Sequence, residues 1–297
     1  MAAAPISRWA GIVLLMAVAT VFGANHVAAR IAFEHGTNVT TAVAFRSAGT
    51  AVFLLFLLLF SGISIRVNAR TAKHSVLIGL LVAAQSYCLY SAVALIPVAL
   101  ALLVFQTFPM MLGLLSWLAG GERPARRAVA VMPVALVGLA LALDVWGKSG
   151  DIAARWNEIG AGVLWALGAA ISFAAALLLM TRWLPTMDGR LRSFLTMCVV
   201  AVVVLAGGAA AGDFRLPADT TGWAAIVLLT AFYGTAITSM FIVLPRLGAV
   251  NNAVVLNFEP IAVLAIAWVV LDQKVSALQI LGAFIVTGAI MALGARK

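Results

Sequence analysis

The sequence predicts an all-α integral membrane protein of ten transmembrane helices, built as two inverted five-helix repeats with both termini in the cytoplasm. Three observations predict it. The 297-residue chain is 64% hydrophobic and 10% charged, with mean hydropathy +1.13, whereas a soluble domain carries about 25% charged residues. Ten stretches stay apolar for about the 20 residues that a bilayer span requires. The chain also matches itself at one constant shift: Gly11 with Gly162, Phe22 with Phe173, Pro109 with Pro260 and Trp117 with Trp268. Five spans per copy is an odd number, so the second copy must enter the bilayer facing the other way. The copies are expected over residues 1–150 and 151–297.

In chain order the spans are expected at 9–29, 41–60, 75–94, 99–119, 127–144, 159–181, 193–211, 222–242, 249–270 and 276–294. The first could pass for a cleaved signal, with Arg8 ahead of it and small residues around Ala28. Its match to the sixth span argues that it is retained. The turns after the third and eighth spans are very short, which makes their neighbours antiparallel. The longest polar connection, Asp144 to Glu158, joins the copies.

Lys and Arg set the orientation. Most of the 19 fall on one side: Arg8, Arg66, Arg70, Lys73, Arg123, Arg126, Arg127, Arg182, Arg190, Arg192, Arg246, Arg296 and Lys297. Arg30, Lys148, Arg155, Arg215 and Lys274 fall on the other, and Arg46 lies within a span. The crowded side is the cytoplasm. Tryptophans gather at span ends as interfacial anchors, with Trp165 the exception. The formal charge of +9 does not indicate a nucleic-acid partner, because no basic run or aromatic–basic interleaving accompanies it. Cys88 and Cys198 lie inside apolar spans and read as small hydrophobes, not as a disulfide or metal pair.

Phe22-Gly23-Ala24-Asn25, followed by Arg46, resembles the opening of EamA-type members of the drug/metabolite transporter superfamily. Phe108-Pro109 through Trp117 to Gly121-Glu122, with Gly138 beyond, is similar to that family's end-of-repeat pattern. Glu259-Pro260 through Trp268, then Gly282 and Gly288, resembles its second occurrence. One departure is Asp272-Gln273, where Gly-Glu would be usual. Within the family, length and the short N-terminus look closest to bacterial YddG-type amino-acid exporters. The resemblance implies a multi-pass protein of the bacterial inner membrane that exports small metabolites, with amino acids bearing aromatic or bulky apolar side chains the expected substrates.

Inverted repeats place a transport site at the interface between the copies. Several side chains are candidates to line it. Tyr87, Tyr90 and Ser91 fall three and four apart on the third span, and Thr230 and Tyr233 three apart on its repeat partner. Asn25, Trp165, Ser172, Asn252 and Asn257 complete the expected cavity lining. Glu259 is the one carboxylate near a span centre, where a charge is costly. It either donates, protonated, to a carbonyl freed by Pro260 or couples proton movement to transport. Its counterpart in the first copy is Phe108, so the fold's symmetry does not demand an acid. Arg46 and His26 are expected to reach for the outer interface, with a bond from Arg46 to a substrate carboxylate as the alternative. Pro109 and Pro260 are hinge candidates. Gly162, Ala166, Ala170 and Ala174 recur every four residues and read as a helix-packing face, not as substrate contacts.

The expected function is therefore secondary transport by alternating access, with multidrug or lipophilic-cation efflux as the alternative. An intramembrane enzyme would need paired acids, a metal cluster or an activated nucleophile. The chain instead has three scattered histidines (His26, His35, His74) and no HExxH spacing. A passive channel would show rings of like polar groups along a continuous path. No Gly-rich phosphate loop exists for ATP, and no cofactor or metal is expected. The partners are a small-molecule substrate and the bilayer, and a monomer is a sufficient unit.

Overall fold

The computed structural model describes residues 8–120, 126–142, 152–247 and 258–294. Among these residues the chain is helical with no strand. The helices are α1 (Arg8–Glu34), α2 (Val39–Phe60), α3 (Ala69–Leu95), α4 (Val98–Phe105), α5 (Phe108–Leu118) and α6 (Arg126–Ala142). They continue with α7 (Ile152–Trp183), α8 (Gly189–Ala211), α9 (Thr220–Leu247), α10 (Glu259–Leu271) and α11 (Ala277–Gly294). Among the described residues seven spans are long and apolar enough to cross a membrane, and three shorter apolar helices accompany them. This is the expected all-helical, two-repeat membrane fold.

Side-chain caps start the helices where the sequence offers them. Asn38 Oδ1 accepts from Thr41 N at 3.1 Å and Asn68 Oδ1 from Thr71 N at 2.8 Å, so each fills an otherwise unpaired first-turn N–H. Ser276 and Gln279 bond each other's backbone reciprocally before α11. Gly212 ends α8 in the left-handed conformation, and Asp272 does the same for α10 with φ 49°. The latter explains the departure noted in the sequence. A helix end that turns left-handed suits glycine best, and aspartate is among the few side chains that tolerate it.

Two expectations need correction. The fourth span is not one kinked helix but two, broken at Gln106 and Thr107, with Pro109 in the first turn of α5. Proline lacks an N–H and fits the first turn, where none is needed. The polar connection between the copies is also shorter than its composition suggests, because α7 already begins at Ile152.

The packing interleaves the copies. Around a closed ring, α1 packs on α9, α9 on α2, α2 on α8, α8 on α3 and α3 on α7. The ring continues from α7 to α4 and α5, from α4 to α10, and from α10 back to α1. Every seam joins a helix of one copy to a helix of the other. The remaining pair, α6 and α11, packs on itself beside α4. There Gly282 lies directly against the Ala142 and Gly138 backbone, and Gly138 against Ile285, so neither position has room for a Cβ. The small stripe on α7 packs as expected: Ala166, Ala170 and Ala174 are fully buried, and Gly162 lies against Ile96, just past the end of α3.

At one rim, the α1–α2 turn is tied to the α8–α9 turn. Asn38 Nδ2 donates to Asp213 O at 2.6 Å, Thr40 Oγ1 to Asp213 Oδ2 at 2.7 Å, and Ala218 N to His35 O at 2.9 Å. His35 Nδ1 lies 2.7 Å from Asp219 Oδ2. The Gly222 N–H and then His35 hold the Asp219 carboxyl below its ordinary range.

Candidate functional site

Inside the ring, α1, α2, α3, α9 and α10 bring charged, amide and aromatic side chains together. Arg46 of α2 is only 3% exposed. Its Nη2 donates to Ser86 Oγ at 2.7 Å, and its guanidinium carbon lies 4.2 Å from the Tyr233 ring centre and 4.8 Å from that of Tyr90. Cation–π contact of a desolvated guanidinium contributes about 2 kcal/mol per favourable ring. Among the described residues no carboxylate lies within ion-pair distance of it. Arg46 Nε is buried with no hydrogen-bond partner.

Tyr90 is the hub. It is fully buried, and its hydroxyl donates to Asn25 Oδ1 at 2.9 Å. That bond uses the amide oxygen of Asn25 and leaves Nδ2 buried without a partner. The His26 ring stands edge-on to Tyr90, with centroids 5.8 Å apart, and its Nε2 lies 3.5 Å from Glu259 Oε1. Phe22 meets the Tyr233 ring edge-on at 5.9 Å. A Cβ on Gly23 would come within 2.5 Å of Val263 Cγ2, so the glycine is what lets α1 lie close against α10.

Glu259 sits in the first turn of α10, with Pro260 beside it. A carboxylate there faces the positive end of the helix dipole. Among the described residues Glu259 lies against His26, and the carbonyl that Pro260 would free, that of Leu256, falls outside them. Pro260, like Pro109, opens a helix. Each proline sits in a first turn, where its missing N–H is not needed.

The structure corrects two sequence expectations. Arg46 does not reach the interface, and neither does His26, which is 6% exposed. Both turn inward because aromatic faces and an acid wait there. The other candidates separate into groups. Asn25, Tyr90 and Tyr233 join Arg46. Tyr87 is 38% exposed and sits edge-on to Trp165 at 6.2 Å, on the seam of α3 and α7. Tyr87 therefore does not share the surroundings of Tyr90 and Ser91, which are buried. It instead borders a groove of about 510 Å3 between α3 and α8, lined by Leu80, Ala83, Val203 and Gly207. Ser172 is half-buried on α7, beside Phe173. Asn252 and Asn257 lie outside the described residues.

Sequence reading missed Ser86 as the bond that orients Arg46, and the cluster of Phe105, Phe108 and Phe173, whose centroids lie 4.9 to 5.5 Å apart. No group of three metal-ligating side chains gathers among the described residues.

Comparison with known proteins fits this architecture. A solved structure titled only as the crystal structure of a protein aligns over 97% of this chain and 98% of its own length, with TM-score 0.65 at 17% identity. That likeness concerns the fold. No curated protein matches the sequence significantly. The model of the EamA-like transporter family matches twice, over residues 9–143 and 160–295, once for each copy. The chain is thus a multi-pass membrane transporter of small molecules and belongs to the EamA-like transporter family.

Proposed function

We propose that the chain is a secondary transporter of the YddG-like kind, exporting amino acids with aromatic or bulky apolar side chains across a bacterial cytoplasmic membrane. Residues 1–150 and 151–297 act as its two copies, and both termini face the cytoplasm. The observation that carries the reading is the polar cluster inside the ring. A guanidinium, an amide and a His–carboxylate pair border one tyrosine, with phenylalanines nearby. A zwitterion with an apolar side chain needs that combination: opposite charges for its ends and aromatic surface for its body.

Alternating access would then move mixed bundles, because the seams tie helices of one copy to those of the other. The starts of α5 and α10, at Pro109 and Pro260, are natural places for φ/ψ change. Glu259, which lies 3.5 Å from His26, is the coupling residue. Purified protein in liposomes tests this with labelled phenylalanine. Flux competed by phenylalanine and methionine, driven by a pH gradient, is the expected result. Glu259→Gln should abolish the dependence on the gradient and leave exchange measurable. A pH profile unchanged by the substitution would remove Glu259 from the mechanism.

A second reading, lipophilic-cation efflux, draws on the Phe105–Phe108–Phe173 cluster, whose faces would also attract a cation. Competition by quaternary ammonium compounds alone would favour it and overturn amino-acid export.

A further inference from the structure

We propose that Arg46, with the free amide Nδ2 of Asn25, is the anchor for a carboxylate on the transported solute. The proposal rests on the transport reading above and adds the chemical group that the site selects.

Buried donors exceed acceptors around Arg46. Arg46 is buried within the membrane-spanning part of α2, where a cation normally finds a counter-charge or water. Among the described residues Nη2 donates to Ser86 Oγ and the Tyr90 hydroxyl also lies beside the guanidinium, but Nε has no acceptor. Asn25 Nδ2 is a second buried donor without an acceptor. Tyr90 holds both: its ring lies under the guanidinium, and its hydroxyl fixes Asn25 through the amide oxygen, so the NH2 is the end left over. Residues 248–257, which carry the chain into α10, contain no acid that could serve as a resident counter-charge.

Tyr90 and Tyr233 also fix the guanidinium's position before any ligand arrives. The cost of ordering a long flexible side chain is thereby met in advance, which favours tight anion capture. A carboxylate supplies two oxygens with lone pairs to spare and can accept from Arg Nε and from a neighbouring amide together. Among the described residues Glu259 lies against His26 and forms no ion pair with Arg46.

The test measures ligand-induced shifts in the melting midpoint of the purified full-length protein in detergent. Four probes are titrated: L-phenylalanine, hydrocinnamate, L-phenylalaninamide and phenethylamine. Hydrocinnamate keeps the carboxylate and lacks the amine, and the last two lack the carboxylate. The expected result is saturable stabilisation by phenylalanine and hydrocinnamate, with the other two weaker by about tenfold or more, as for loss of a charge-assisted bond. Arg46→Gln should reduce the affinity for both carboxylates to that of the amide, and Arg46→Lys should recover part of it.

Equal binding of carboxylate and carboxylate-free probes by the wild type overturns the proposal. So does undiminished carboxylate binding by a cooperatively melting Arg46→Gln protein, or no shift with any carboxylate. If Arg46→Gln does not fold, the wild-type probe series decides alone. Hydrocinnamate bound through Arg46 while phenylalanine is not would sink amino-acid export and leave the anchor standing. Phenylalanine bound without regard to Arg46 would do the reverse.

Discussion

The two copies share a backbone plan but differ in what they place inside the ring. In the first, α1 carries Asn25 and His26, and α2 carries Arg46. The repeat shift puts Ala176, Leu177 and Met197 at the equivalent places in the second. At the starts of α5 and α10 the difference reverses, with Glu259 in the second copy and Phe108 in the first. Because α1 packs on α10 and α7 on α5, the polar residues meet each other and so do the apolar ones. One side of the pseudo-twofold axis becomes a charged site, and its mirror becomes a phenylalanine cluster. Shape is therefore set by what the copies share, and recognition by what they do not.

Making the charged side resemble its mirror should have the largest effect. His26→Leu removes the imidazole beside Glu259 and should cost about 3 kcal/mol, the upper end for a buried polar group that loses its partner. Thermal unfolding of the purified protein would read the loss. The double variant with Glu259→Phe should melt closer to wild type than the single. A double variant no more stable than His26→Leu would show that the pairing is not what matters.

The next substitution concerns spacing. Gly23→Ala installs the Cβ that its counterpart Ala174 already carries, but here it meets Val263. Overpacking of this kind costs about 1–3 kcal/mol. Val263→Ala in the same chain should restore most of the lost midpoint, and no restoration would refute the clash as cause.

A smaller effect, of opposite sign, is expected at the end of α10. Among the described residues Asp272 is the one non-glycine with positive φ, while Gly36, Gly62, Gly120 and Gly212 hold the others. Asp272→Gly should stabilise by about 0.5–1 kcal/mol through relief of the left-handed strain. Gly120→Ala, at the corresponding end of α5, should destabilise. Melting midpoints that move together would contradict this account.

The smallest effect lies at the rim. Asp219 has a depressed folded pKa, so its contribution is complete above the ordinary aspartate value of about 3.9. It is lost as pH falls through the lower folded value. Amide exchange across residues 213–222 should quicken in that acid window, and Asp219→Asn should flatten the dependence. An identical acid response in the variant would assign the effect to another group.

Much of the fold was legible because hydropathy over about 20 residues reports spans directly, and one repeat shift orders them. The helix break at Gln106 and Thr107 was not, since an apolar run gives the same signal whether continuous or interrupted. The site was harder to read. When every face of a helix is apolar, nothing in a single sequence says which way Arg46 turns. Tyr87 and Tyr90 illustrate the limit: three residues apart is one face in principle, but the remaining rotation is enough to bury one and expose the other. The His26–Glu259 contact joins residues from opposite ends of the chain and leaves no local trace.

The alternating ring has a consequence for biogenesis. Synthesis starts at the amino end, so α1, α2 and α3 enter the bilayer before α7, α8 and α9 exist to flank them. During that interval Arg46 and Asn25 have no Tyr233 or α10 beside them, and lipid or stray water must accommodate a guanidinium.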